Sequence, residues 1–146
     1  MINIQEVLQI QTARASVWQR FADIGTWNEW NREVLDAWWV SGTPWTPGAI
    51  FVVEHFTLFK ARKQTRYIVQ MCVETRTAVY QSTASFPLSM TSSVQLTDSL
   101  GGCRLEATHH YAGPLAPLVW LLSGRQKSLL NQAMLALKAR VEGPRR

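Results

Sequence analysis

The stretch from position 114 to 142 constrains this chain more than any other part of it. Leu118, Leu122, Leu129, Ala133, Leu137 and Val141 recur at helical steps, interrupted at the polar Arg125 and Gln126. That is the period of one apolar stripe. Lys127, Asn131, Lys138 and Arg140 supply the wet side, Pro117 suits an early helical position, and Gly143-Pro144 is a stop signal. Gly124 marks a weak point where a bend or a close backbone approach is expected. Such a helix needs an apolar surface to lie against, and the preceding residues must provide it.

Those residues read mostly as strands. Ile2, Ile4, Val7 or Leu8, and Ile10 alternate over positions 2–10. The segment ASVWQRFADIGTWNEWN then groups Val17, Trp18 and Phe21 on one helical side, breaks at Gly25, and spaces Trp27 and Trp30 by three, giving two short helices. Further strands are expected at 34–40, 50–58, 65–73, 77–84, 90–97 and 103–111, with turn-rich SGTPWTPG at 41–48 and a hairpin at 98–102. Short connections favour antiparallel neighbours, because parallel ones need crossovers of a dozen or more residues. The expectation is an α+β fold: a strongly curved seven-stranded antiparallel sheet wrapped around a long C-terminal helix over 115–142, with two short helices after the first strand. A flat sheet packed on a helix, with no cavity, is the alternative.

At 146 residues the chain suits one domain spanning 1–146. Its composition, 47% hydrophobic and 17% charged, is that of a folded protein. Trp27, Trp30, Trp38, Trp39 and Trp45 crowd into one short segment, and such a cluster requires burial or a large apolar partner. The net charge of +5 is spread without a basic run or a nucleic-acid motif, so no nucleic-acid partner is expected. Cys72 and Cys103 form no CxxC, and the start MINIQEVLQI lacks a basic leader and cleavage site, which favours a cytoplasmic location. No apolar run reaches membrane-span length. Metal-ligand spacings, glycine-rich phosphate loops and nucleophile elbows are absent from the sequence, so neither metal nor cofactor is expected.

The ADIGTWNEWN segment after a first strand, the WWVSGTPWTPGAIF spacing and the terminal amphipathic helix together resemble the START-like polyketide cyclase/dehydrase and lipid transport superfamily (SRPBCC), with its helix-grip fold. The resemblance covers essentially the whole chain. It implies an elongated hydrophobic cavity between the sheet, the short helices and the long helix, with Trp27 and Trp30 as structural residues at the small-helix end. Relatives include lipid and small-molecule carriers, hormone receptors, ring cyclases and co-chaperone domains, and no shared catalytic motif carries over to this chain.

Strand parity then names the expected ligand-binding wall. Trp38 comes from the second strand; Tyr67, Val69 and Met71 from the fourth; Tyr80 and Ser82 from the fifth. Met90, Ser92 and Val94 follow on the sixth, and Leu105, His109 and Tyr111 on the seventh. Leu118, Leu122 and Gln126 roof it, with Leu118 to Gln126 as the front of the helix and Leu129 onward as permanent packing. The same residues would also suit a filled core. His109 and Tyr111 are the only candidates for acid–base chemistry, while Glu54 draws more interest than the oppositely facing His55. Three functions follow: binding or carriage of a small hydrophobic or amphipathic molecule (lipid, fatty acid or aromatic polyketide-like); a cyclase/aromatase-type enzyme acting on such a ligand; or a protein-interaction domain without one. The protein is expected as monomer or homodimer.

Overall fold

Seven segments alternate strongly enough to form strands, and in the computed structural model, which describes residues 2–56, 61–84 and 86–143, all seven join one antiparallel sheet. The strands are β1 (Ile2–Ile10), β2 (Val34–Ser41), β3 (Ile50–Phe56), β4 (Arg62–Val73), β5 (Thr77–Ser82), β6 (Ser89–Ser99) and β7 (Gly102–Ala112), in the order β1-β7-β6-β5-β4-β3-β2. Between β1 and β2 lie α1 (Arg14–Ala22), a short 3-10 turn (Ile24–Thr26) and α2 (Trp27–Trp30), which are the two short helices expected around Gly25. The chain ends in α3 (Ala116–Leu121) and α4 (Ser123–Glu142). The expected extension of the third strand to Leu58, a turn at Phe59 and the stop at Pro144 lie outside the described residues.

The sheet is not strongly curved, contrary to the expectation. Sharp bending of a strand is produced by bulges. The β1–β7, β7–β6, β6–β5 and β3–β4 ladders run without a register shift, and shifts occur only between β2 and β3 and between β4 and β5. The strand order stays open, with β1 and β2 at the two edges. α4 approaches β1, α1 and α2 closely and stands off from the middle strands, leaving space in between.

The terminal helix is interrupted. Leu122, at φ −102° and ψ 13°, shares its N–H between the carbonyls of Leu118 (3.2 Å) and Val119 (3.1 Å), a tightened turn that ends α3 before α4 begins. Gly124 is not the site of a close approach, since a Cβ there would meet nothing within 4 Å. The two pieces have different surroundings. Leu130, Ala133, Met134 and Leu137 of α4 are buried, whereas α3 buries only Ala116.

The tryptophan-rich segment becomes a packed end wall. Phe51, fully buried, has the rings of Trp27, Trp39, Trp45, Tyr67 and Tyr80 at centroid distances of 5.2–5.7 Å. Trp45 sits at φ 61°, a region that costs a bulky residue on the order of 1–3 kcal/mol. The return is that its ring reaches Trp18, Phe21, Trp27, Trp39, Phe51 and Tyr80, and its Nε1–H donates to the Ala22 carbonyl at 2.7 Å. Trp27 Nε1–H likewise donates to the Phe21 carbonyl at 2.7 Å, so α1, α2 and the β2–β3 connection form one block.

Candidate functional site

Because α4 stands off from the middle of the sheet, a cavity of about 980 Å³ opens between them. This lies in the upper part of the roughly 300–1,000 Å³ range of small-molecule sites. The end wall supplies Phe21, Trp27 and Trp30; the sheet supplies residues of β3 to β7; α3 and α4 supply the roof.

Most residues of the wall expected from strand parity line this cavity. Tyr67, Tyr80 and Ser82 line the cavity from β4 and β5, and Met90, Ser92 and Val94 from β6. Leu105, His109 and Tyr111 face it from β7, under Leu118, Leu122 and Gln126. Three expected residues do not line it. The register shift between Val69 and Met71 inserts an extra residue, so inward orientation passes from odd to even positions. Val69 ends in the core, 1% exposed; Met71 turns outward, 47% exposed; Cys72 packs against the core instead. Trp38 is 37% exposed, while Ala37 and Trp39 take the inward face of β2.

On β3 the parity is likewise the reverse of the expectation that favoured Glu54. Phe51 and Val53 are buried, and Val53 and His55 line the cavity. His55 meets the Phe56 carbonyl through Nδ1 at 3.2 Å and Thr65 Oγ1 through Nε2 at 2.7 Å. The carbonyl can only accept, which puts the proton on Nδ1 and makes Nε2 the acceptor of the Thr65 hydroxyl. Glu54 accepts a hydrogen bond from Gln64 Nε2 at 3.4 Å. Arg104 and Glu106 form the expected surface pair at 3.8 Å, and His110 bonds Asn3 away from the cavity.

The depth of the cavity is uncharged. Among the described lining residues, those that are buried include Tyr80, Ser82, Ser92, Val94, Leu105, Ala107, Tyr111 and Leu130, and none is acidic or basic. Charge is confined to the mouth, where Glu33, Lys63, Arg66 and Arg125 line the opening. Burial raises the phenols of Tyr80 and Tyr111 to about 12 and pushes Tyr67 up as well; the neighbouring Ser92 hydroxyl works the other way on Tyr80. Ser82 is already committed, donating to Ala84 O at 3.1 Å and accepting from Met90 N–H at 3.0 Å.

His109 is different. Loss of solvation lowers its pKa from 6.5 to about 4, so the imidazole is neutral at pH 7. The Tyr111 ring stands edge-on to it at 6.3 Å, and among the described residues no side chain or carbonyl hydrogen-bonds its nitrogens. A neutral imidazole facing a cavity offers one donor and one acceptor to an occupant. Among the described residues no group of three or more His, Cys, Asp or Glu could hold a metal ion. No described helix is long and apolar enough to cross a membrane.

Comparison with known proteins decides the family. The model of the family described as polyketide cyclase / dehydrase and lipid transport matches residues 1–142. The chain belongs to that family. No curated protein sequence matches this chain. Its fold is shared by hypothetical protein jhp0584 from Helicobacter pylori, at TM-score 0.81 and 10% identity, covering 96% of this chain and 88% of that one. The di-domain ARO/CYC StfQ from the steffimycin biosynthetic pathway is similar at TM-score 0.79 and 17% identity, over 97% of this chain and 50% of that one. Ara h 8.0201 is similar at TM-score 0.73 and 16% identity, over 96% and 97% of the two chains. These likenesses give the fold alone.

Proposed function

We propose that the protein binds or carries a small hydrophobic or amphipathic molecule in the cavity. The observation that carries this reading is the division of the lining: an uncharged interior of about 980 Å³ in all, with every charged lining residue at the mouth. Apolar burial supplies affinity at roughly 25 cal/mol per Å², and the few interior polar groups fix orientation. His109, Tyr111 and the Tyr80–Ser92 pair are those groups, and they suit a hydroxyl or carbonyl on an otherwise apolar body. An acidic end group would rest at the mouth near Lys63, Arg66 and Arg125. On this reading the residues expected from parity, apart from Trp38, Val69 and Met71, are the ligand contacts.

The test is titration with a fluorescent fatty acid, followed by competition with unlabelled fatty acids and aromatic polyketide-like compounds. Val94→Phe and Ala107→Phe add rings into the empty volume and should lower probe affinity at least tenfold while thermal unfolding changes little. Unchanged affinity in both variants, or no uptake by the natural protein, would refute the reading.

A cyclase/aromatase-type reaction is the second reading, favoured by the unpartnered His109 beside Tyr111 and by the likeness to a di-domain ARO/CYC protein. Acid–base catalysis works best with a pKa near the working pH. At about 4, His109 is a weak base and Tyr111 at about 12 a weak acid, so binding is the better-supported role.

A further inference from the structure

The rim of the cavity has a surface chemistry of its own. Phe86 is 75% exposed, Trp120 60% and Leu121 71%, flanked by Leu115 at 42% and Leu118 at 45%. These side chains belong to one place. The Leu115 N–H donates to the Pro87 carbonyl at 3.1 Å, tying the β5–β6 connection to the start of α3, and Phe86, Leu115 and Leu118 line the same opening. α3 thus projects most of its large apolar side chains away from its own protein.

Charge near this patch is predominantly positive. Segments 61–66 and 113–127 contain Arg62, Lys63, Arg66, Arg125 and Lys127 and no acidic residue, and 86–90 contains none either. With Glu33, which also lines the opening, these five cations leave a local excess of four positive charges, most of the chain's net charge of +5. Glu33 is the acid among the described residues lining the opening. Protruding tryptophan, leucine and phenylalanine within a basic ring match the two halves of an anionic bilayer surface. The aromatic and aliphatic tips enter the headgroup–acyl boundary, while the cations meet phosphate. No described helix could span the membrane, so the contact is peripheral.

We propose that the protein docks on anionic lipid bilayers through α3 and Phe86, with the cavity mouth facing the lipid. Where the proposed ligand reading holds, this orientation lets an amphiphile pass between bilayer and cavity without crossing water. The docking itself does not depend on that reading.

Co-sedimentation with phosphatidylcholine vesicles, with and without one-third phosphatidylglycerol, tests it. The natural protein should pellet with the anionic vesicles and be released by salt. Trp120→Ala/Leu121→Ser should reduce partitioning at least tenfold. Arg62→Gln/Lys127→Gln should reduce it about fivefold per charge and flatten the salt dependence. None of these four side chains lines the cavity, so all variants should keep their thermal unfolding and their fatty-acid probe affinity. Loss of probe binding in the natural protein would count against the ligand reading alone. Failure to pellet with anionic vesicles, equal pelleting with neutral ones, or undiminished pelleting of Trp120→Ala/Leu121→Ser would overturn docking. So would gel filtration showing a dimer that this variant dissociates, since the patch would then be occupied by a second copy.

Discussion

Protonation of His109 is the perturbation for which the structure gives the clearest magnitude. In the unfolded chain a histidine titrates near 6.5, whereas in the folded protein His109 titrates at about 4. Between these values the unfolded state binds more protons than the folded one, so stability rises with pH across that window and is lost as pH falls through it. The full shift corresponds to about 3 kcal/mol, and the part realised between pH 7.5 and 5 to about 2 kcal/mol. Water entering the cavity restores some solvation to the imidazole and brings the expected loss to about 1–2 kcal/mol. Urea unfolding of the natural protein and of His109→Gln at both pH values isolates this contribution, because every other titrating group is common to the two. The natural protein should lose more stability on acidification than the variant, by that amount. A bound ligand should enlarge the difference by removing the water. Equal losses in the two proteins, or an NMR titration placing His109 near 6.5, would show that the side chain does not face a poorly solvated interior.

Other outcomes follow from packing. Phe51→Ala removes the ring shared by five aromatic neighbours and should cost about 3–5 kcal/mol in urea unfolding. Leu137→Ala, in the buried half of α4, should cost about 2–5 kcal/mol, and Leu118→Ala, 45% exposed, less than about 1 kcal/mol. Gly102→Ala places a Cβ 2.0 Å from the Ile10 carbonyl oxygen and 2.7 Å from the Thr12 nitrogen, both backbone atoms. It should lower stability by about 1–3 kcal/mol or more.

The sequence showed most of the architecture because alternation and helical periodicity are local and repeated. β6 and β7 pair residue by residue across their whole length, and there parity assigns every inward side chain from Met90 to Tyr111. Parity fails where a single residue is added, which leaves no mark in the order of apolar and polar residues. Tyr67, Val69 and Met71 read as one face, and only the shift between Val69 and Met71 separates them. Trp38 and Trp39 are chemically identical neighbours, so composition cannot choose between them; packing of Trp39 against Trp45 and Phe51 does. The interruption at Leu122 falls at the end of an apolar run, two residues before Gly124, and no proline or glycine stands at the position itself. Sheet curvature is a collective property of all seven strands and is not encoded in any one of them. The basic rim is assembled from segments about sixty positions apart and becomes visible only when the fold joins them.

The extra residue in β4 also sorts the chain's sulfur. By exchanging the inward face at that point, it turns Cys72 toward the core, where burial raises the thiol pKa, and Cys103 is fully enclosed on β7 with its own pKa raised. Both thiols are thereby kept in their unreactive protonated form. The thioether of Met71 takes the outer position, where conversion to sulfoxide adds a polar oxygen to a surface already in water. One inserted residue thus hands peroxide an expendable sulfur on the outside of the sheet and withholds the thiol beside it.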